Sequence, residues 1–339
     1  MQALLDAIAA MPLPGDAQRI FHGRGGRHPG CEQWVLDAYP PVFVLTSFAP
    51  VGDAQLAAAG AALQARWDVL APGRPLDWVF QHRGAGQAET RLMAGSVPEP
   101  HVVTEAGARY LVHVLRGQNH GLFLDMAEGR RWVREFAAAF SAREGRGARV
   151  LNLFAYTCAF SVAALLGGAA HAVNIDMARG ALATGQQNHR LNGIASGAGV
   201  LPPGRPKAKT APLGGSGPRE AGERGGNFLA HDIFSSWGKI TRGGPYDLVI
   251  IDPPSYQKGS FVATKDYARI LRRLPALLAD GGHALLCLNA PELGMDFLRR
   301  QVSEQAPDLA FVQRVANPAA FADVDEDRAL KVAVFRKGA

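Results

Sequence analysis

Four short stretches hold acids, amides and aromatics where a folded chain could use them. They are Asn152-Leu153-Phe154-Ala155-Tyr156-Thr157, Asp176 closing HAVNID, Asp232 in FLAHDIF, and Asp252-Pro253-Pro254-Ser255-Tyr256. Each lies at the end of an apolar run of strand composition. In an open α/β sheet, ligands gather at the carboxyl ends of the strands, where the strand order reverses. An acid at the end of a second strand, as Asp176 is here, can accept both hydroxyls of an adenosine ribose. Its other reading is a helix N-cap before ARGALATG. Asp232 could accept from an adenine amino group or be a surface turn acid. Asp252 precedes two prolines, which donate no N–H, hold a rigid turn and leave carbonyls facing outward. Such a turn can present an acceptor and the Tyr256 ring to a planar base, or it can be only a stiff strand-to-helix connection.

A nicotinamide enzyme would also place an acid at position 176, so the loop after the first strand discriminates. No G-x-G-x-x-G occurs there, and nothing is built to receive a pyrophosphate on a helix N-terminus. A nucleoside cofactor without phosphates, S-adenosylmethionine, suits the loop better.

These residues need a scaffold of alternating strands and helices. ARVLNLFAY, HAVNID, NFLAHDIF, YDLVIID and HALLCLN read as strands. Between them, FSVAALLGG, ARGALATGQQNHRLNG, DYARILRRLPALLADGG and MDFLRRQVSEQA read as helices, and LKVAVFRK closes a final β-hairpin region. Alternation with short connections predicts a mostly parallel sheet covered on both faces. Residues 1–116 differ: PVFVLTSF, LDWVFQHR and ARYLVHVL are short strand-like runs around one helical run, DAQLAAAGAALQARW. We therefore expect a small α+β domain over 1–116 that positions substrate, and an α/β domain over 117–339. The second domain opens with an amphipathic helix within Gly117–Ser141, carrying Leu122, Met126, Trp132, Val133 and Phe136. Residues 195–227 hold almost no large apolar side chains and are expected to be a mobile insertion, in which Lys207, Lys209, Arg219 and Arg224 could aid capture of a polyanion.

The chain has 339 residues, 47% hydrophobic and 19% charged, which suits two soluble domains with sizeable cores. No apolar run approaches the roughly 18 residues that span a bilayer. The start, MQALLDAIAAMPLPGD, reads as a short amphipathic helix and not a signal peptide. Cys31, Cys158 and Cys287 form neither a disulfide framework nor zinc spacing, and a cytoplasmic protein without bound metal is expected. The net charge of +6 permits a polyanionic partner without requiring one. Cys158 and Cys287 read as small core residues. His120 in GQNHGLFLD is either a satisfied polar residue or a participant, and Asp125 and Arg130, on one expected helix, could order the domain junction. Nothing sets an oligomeric state.

At these motifs the chain resembles the bacterial 23S ribosomal RNA methyltransferases that act at cytosine carbon 5 or guanine nitrogen 7. The resemblance is carried by HGRGGRHPGCEQWVLDAY, VTEAGARYLVHV and GQNHGLFLDMAEGRR in the first region. In the second it is carried by VLNLFAYTCAFSVAALLGGA, NIDMARGALATGQQNHRLNG, YDLVIIDPPSY and GGHALLCLNAPELGMD. It implies a class I, Rossmann-like methyltransferase fold, S-adenosylmethionine as cofactor, and ribosomal RNA as partner. Carried over by motif, the cofactor contacts are Asn152, Phe154, Tyr156, Thr157, Asp176, Asp232 and Asp252.

Three departures from the family pattern stand out. Family members often have glycines after the YT of the first loop, where this chain has Cys158 and Ala159. The cytosine enzymes carry a nucleophilic Cys in a Ser-Cys-Ser segment, and Asn289 occupies that position here, with Cys287 two residues earlier. The extra N-terminal RNA-binding module of many cytosine enzymes is not expected. Cytosine carbon 5 needs a thiolate to add to the ring before it becomes nucleophilic. Guanine nitrogen 7 has a lone pair and needs only orientation. The expectation is therefore methyl transfer to a guanine ring nitrogen, with Asp252, Pro253, Tyr256 and Asn289 positioning the base. The rivals are cytosine methylation through Cys287, a protein or small-molecule acceptor, and a non-catalytic RNA-binding protein that has kept the fold.

Overall fold

The computed structural model describes residues 1–84, 89–117, 119–196, 225–254, 256–257 and 261–338, with backbone alone at 196, 256 and 257. Two compact units emerge. One is Met1–Ala127 with Pro318–Ala329; the other is Glu128–Asn317 with Leu330–Ala339.

In the first unit, α1 (Gln2–Ala10) and α2 (Asp53–Leu70) accompany a five-stranded sheet in the order β1-β2-β3-β4-β5. Its strands are β1 (Gln18–His22), β2 (Trp34–Tyr39), β3 (Val42–Ser47), β4 (Asp77–His82) and β5 (Glu89–Ala94). Only β3 and β4 pair in parallel, and α2 is the crossover that this pairing requires. Leu56, Ala59, Leu63 and Trp67 recur at helical spacing on α2 and are buried with Leu4 and Ile8 of α1. The hairpin β6 (His101–Glu105) and β7 (Ala108–Val112) turns on Ala106 and Gly107, at φ 49° and 78°. Two residues at positive φ match the twist of the paired strands.

The segment GQNHGLFLD belongs with this unit, so the compact division comes after Ala127, eleven residues beyond the boundary expected from composition. Gln81 Nε2 donates to the Gly117 carbonyl at 2.7 Å, and the Tyr39 hydroxyl to that of Leu122 at 3.4 Å. The expected helix over 117–141 is shortened accordingly. Leu124–Met126 is a 3₁₀ turn and α3 runs Ala127–Glu144, since Gly121, at φ 97°, breaks the helical path. Asp125 thus lies on the 3₁₀ turn in the first unit, and Arg130 is buried on α3 in the second.

The second unit holds an eight-stranded sheet built from β8 (Arg149–Leu153), β9 (His171–Asp176), β10 (Ala195–Ser196), β11 (Gly225–Ala230), β12 (Tyr246–Ile251), β15 (Leu278–Leu288), β16 (Leu309–Val315) and β17 (Lys331–Lys337). Its order is β10-β11-β9-β8-β12-β15-β17-β16. All pairs are parallel up to β15, and β17 and β16 close the edge antiparallel. A two-stranded ribbon, β13 (Tyr256–Gln257) and β14 (Phe261–Val262), follows β12. The helices are α4 (Ala159–Leu166), α5 (Arg179–Leu191), α6 (Trp237–Arg242), α7 (Ala263–Leu271), α8 (Leu274–Leu277) and α9 (Met295–Gln305). The fold is class I methyltransferase-like α/β, as expected.

Two boundaries differ from the sequence reading. DYARILRRLPALLADGG is not one helix: α7 ends before Pro275, α8 is a single turn, and ADGG already belongs to β15. Proline removes the N–H that a continuous helix would need. At the expected insertion, residues 197–224, with the four basic residues named above, lie outside the described residues. Its flanks are strands, with Ala195 and Ser196 pairing parallel to Gly225 and Gly226.

Candidate active site at the carboxyl edge of the parallel sheet

From β8 the chain builds outward on one side, to β9 and then β11, and returns to β12 on the other. The gap between β8 and β12 is the topological switch point. Five strand ends, in the order β11, β9, β8, β12, β15, therefore present Asp232, Asp176, Phe154–Thr157, Asp252 and Asn289 along one edge. With strands ~4.8 Å apart, the five ends span roughly 19 Å.

The loop after β8 is unusual in its backbone. Phe154, Tyr156 and Cys158 have φ of 57°, 47° and 62°, a region that costs a non-glycine residue ~1–2 kcal/mol. Several contacts over-determine this path. Phe154 meets Phe261 edge-on at 5.4 Å. Ala155 N donates to the Ile175 carbonyl at 3.0 Å and Cys158 N to that of Ala155 at 2.7 Å. Asn188 Nδ2 holds the Thr157 carbonyl at 2.9 Å. Asp176 Oδ2 accepts from Tyr156 N at 2.8 Å, so the acid of the second strand also shapes the loop of the first. Alternating left-handed residues turn backbone N–H groups toward an anion, and here that anion is Asp176.

The other Asp176 oxygen, Oδ1, accepts from Ala178 N at 2.8 Å. The N-cap of α5 is Ala178, so the capping reading of Asp176 does not hold. Its carboxylate is half-buried at the strand end with lone pairs to spare. Asp232 behaves similarly, Oδ1 accepting from Phe234 N at 3.0 Å. Asn152, by contrast, is buried within β8, and its Nδ2 donates to Asn174 Oδ1 at 3.0 Å. That side chain ties two strands together below the loop.

Cys158 resolves the missing glycines. It takes the left-handed conformation itself, and its buried side chain fits because Gly185 of α5 has none. A methyl at 185 would stand 3.0 Å from Cys158 Cβ and overlap Sγ. Burial, reinforced by Asp176, pushes the Cys158 thiol well above its ordinary pKa, which keeps it a neutral core residue. Gly185→Ala should therefore destabilise: overpacking costs ~1–3 kcal/mol against ~1 kcal/mol of helix propensity gained. In a Cys158→Gly background the same change should become neutral or stabilising in urea melts; an unchanged penalty would show that the two sites do not touch.

Beneath the loop lies a buried polar relay. Ser161 Oγ donates to the Cys158 carbonyl at 3.0 Å and lies 2.8 Å from His189 Nε2. The serine proton is committed, so Nε2–H donates and His189 Nδ1 is a bare lone pair, buried without a partner. Burial lowers the His189 pKa to about 4. Between 6.5 and about 4 the unfolded chain binds a proton that the folded chain refuses, so stability rises with pH across this window. Full protonation of the unfolded chain removes about 3 kcal/mol. His22, His120 and His283 contribute to the same window, so His189→Gln should reduce the slope of the urea-midpoint profile by one histidine's share; a profile as steep as wild type would refute the assignment.

On the far side of the switch point, Asp252 and Pro254 are half-buried and Pro253 is buried. The backbone of Tyr256 starts β13, and its side chain lies outside the described residues. Asn289 is exposed just past β15, while Cys287 is 1% exposed. Two buried residues that sequence reasoning missed support this end. Tyr267 of α7 donates its hydroxyl to the Cys287 carbonyl. Its pKa is raised well above the ordinary value by burial first, then by Cys287 and Asp252, so it remains a donor. Lys331, fully buried in β17, donates to the Ala290 carbonyl at 2.7 Å and pins the segment after Asn289. A lysine opening the apolar run KVAVF was the available signal for Lys331; Tyr267 looked like any aromatic on an amphipathic helix. His120 is buried in the first unit, edge-on to Tyr39 at 5.4 Å, and burial lowers its pKa to about 4.

Comparison with known proteins agrees with this geometry. Residues 18–201 and 219–336 match the model of the S-adenosylmethionine-dependent methyltransferases. The chain belongs to the S-adenosylmethionine-dependent methyltransferase family. Its cofactor is S-adenosylmethionine, and the strand-end residues suit that group. Three carboxylates, Asp176, Asp232 and Asp252, share the edge with aromatics and amides. The segments 152–157, 176, 232 and 252–254 contain no basic side chain, which favours a cationic sulfonium and ribose hydroxyls over phosphates.

Among relatives, ribosomal RNA large subunit methyltransferase K/L of Psychrobacter sp. (strain PRwf-1) is 29% identical over 75% of this chain and 29% of its own length. Ribosomal RNA large subunit methyltransferase I of Erwinia tasmaniensis (strain DSM 17950) is 25% identical over 86% of this chain and 66% of its own. The chain thus spans less than two thirds of either relative. The crystal structure of SMU.776 complexed with SAH superimposes with a TM-score of 0.77 at 22% identity, covering 99% of this chain and 81% of that one, a likeness of fold.

Proposed function

We propose that this protein transfers a methyl group from S-adenosylmethionine to a base of ribosomal RNA in the cytoplasm, and that the acceptor is a guanine ring nitrogen. One observation carries the choice of acceptor: just past the end of β15 the exposed side chain is Asn289, while Cys287, within β15, is buried. A carbon acceptor needs an accessible thiolate; a ring nitrogen needs its lone pair held in line. The names of the relatives, both ribosomal RNA methyltransferases, support RNA as the substrate class.

When bound, S-adenosylmethionine supplies an electrophilic methyl on sulfur. Asp176 and the loop held to it bind the ribose, and Asp232, at the next strand end, accepts from the adenine. Phe154, Tyr156 and Thr157 shape the wall between them, above the strand that Asn152 ties in place. Asp252, backed by Pro253, accepts from the base; Asn289 contacts it from the neighbouring strand, and Tyr256 follows on the same turn. No proton need be removed before a ring nitrogen with a free lone pair attacks, so these groups orient the base.

Incubation of the protein with labelled S-adenosylmethionine and 23S ribosomal RNA from a strain lacking its gene, followed by nucleoside mass spectrometry, tests this reading. Label in a methylguanosine is expected. Label in 5-methylcytidine would overturn the acceptor, and label confined to protein would overturn RNA.

A further inference from the structure

A second site lies in the first unit, far along the sequence from every residue placed in the methyl-transfer site. The connection between β1 and β2, His22-Gly23-Arg24-Gly25-Gly26-Arg27-His28, borders a cavity of about 330 Å³. Its polar wall is His22, Arg27 and His28, and Ala7, Phe21 and Ala320 line its apolar side. No carboxylate lines it. The volume lies at the lower end of small-ligand sites.

The loop is tightly built. A Cβ at Gly23 would overlap the Cys31 carbonyl, and one at Gly25 the Ala322 carbonyl. Val324 N clamps the Gly25 carbonyl at 2.9 Å. Three acids lie near the loop; the charge of Asp323 reaches His22, and its Oδ1 accepts from Asp325 N at 3.0 Å. Asp37 takes Arg19 through two bonds, at 2.8 and 3.1 Å, and Glu32 accepts from Gly30 N at 3.0 Å. Arg19 Nη1 also donates to His22 Nδ1 at 2.9 Å, which leaves Nε2 as the ring's N–H donor. His28 packs on Phe21 at 4.9 Å between centroids. Arg27 is exposed and forms no hydrogen bond or ion pair among the described residues. Three donors around a cavity with no acidic side chain in its lining match a ligand that only accepts, and a phosphate is such a group.

We propose that this cavity binds a backbone phosphate of the RNA substrate through Arg27, His28 and His22, anchoring RNA by a contact that carries no sequence information. The inference rests on the reading that the substrate is RNA. Phosphate contacts position a nucleic acid and add salt dependence, whereas base contacts specify sequence.

The test is fluorescence anisotropy of a labelled 23S ribosomal RNA fragment and of an unrelated RNA of equal length, titrated over a range of salt. Arg27→Ala should weaken both RNAs about 3- to 10-fold and reduce the slope of log K against log salt by about 0.7–0.9. Arg27→Lys should retain most of the slope. Calorimetric affinity for S-adenosylhomocysteine and the thermal melting profile should both stay at the wild-type values, which shows that both units are folded. Wild-type protein with no RNA affinity would overturn both this site and the RNA reading. RNA binding with an unchanged slope in Arg27→Ala would overturn the site alone. Stabilisation of wild type by inorganic phosphate, lost in Arg27→Ala while RNA affinity is untouched, would reassign the cavity to a free anion.

Discussion

Replacing Asp176 by alanine should lower the affinity for S-adenosylhomocysteine by roughly ten- to a hundred-fold. That is about 1.4–2.7 kcal/mol, the range a lost charge-assisted bond to the ribose hydroxyls accounts for. The structure adds a second reason for a large effect. Asp176 also receives Tyr156 N and Ala178 N, both at 2.8 Å, and so restrains a loop with three left-handed non-glycine residues. Without the carboxylate that loop can relax toward lower-energy backbone conformations and lose the shape that faces the cofactor. Asp176→Asn keeps one acceptor oxygen and should fall between alanine and wild type. Titration calorimetry measures all three; a folded Asp176→Ala protein with wild-type affinity would remove the ribose assignment.

The second large effect separates the two chemistries. Asp252→Ala and Asn289→Ala should each reduce methyl transfer on the order of 10²-fold, because a base misplaced by about 1 Å loses its in-line approach. Single-turnover rates should carry that loss, with cofactor affinity in Asn289→Ala left unchanged. Cys287→Ala should retain most activity, since the thiol is buried and no covalent adduct forms with a ring nitrogen. RNA containing 5-fluorocytosine distinguishes the alternative directly. A covalent complex with wild type that vanishes in Cys287→Ser would make Cys287 the nucleophile and cytosine the acceptor.

Much of the catalytic unit was legible in the sequence because its signals are local. A buried parallel strand is an apolar run, and the residues just beyond its end must lie at the carboxyl edge; this placed Asp176, Asp232, Asp252 and Asn289 on one rim. Family motifs named the cofactor for the same reason, since the strand-end loops that bind it are contiguous in the chain. The helix break at Pro275 and the start of α3 at Ala127 are less legible, because apolar periodicity continues in the sequence across a proline and a left-handed glycine that interrupt the helix.

Tertiary structure decided what depends on residues distant along the chain. Asn152 carries the loop motif in sequence, yet across the sheet it meets Asn174, and that pairing makes it a strand tie. Cys158 looks like a lost glycine until Gly185, a helix away, provides the room its side chain needs. Residues 318–329 return to the first unit from the end of the second, and no local pattern announces this, because their partners lie some three hundred residues earlier. Periodicity and turn chemistry report on neighbours within a few residues; steric fit and hydrogen-bond partners across a sheet exist only once the strands are side by side. The sequence by itself determined which groups line the edge and which cofactor they suit. Only the packed fold decided which of them face outward and which are consumed in holding the others in place.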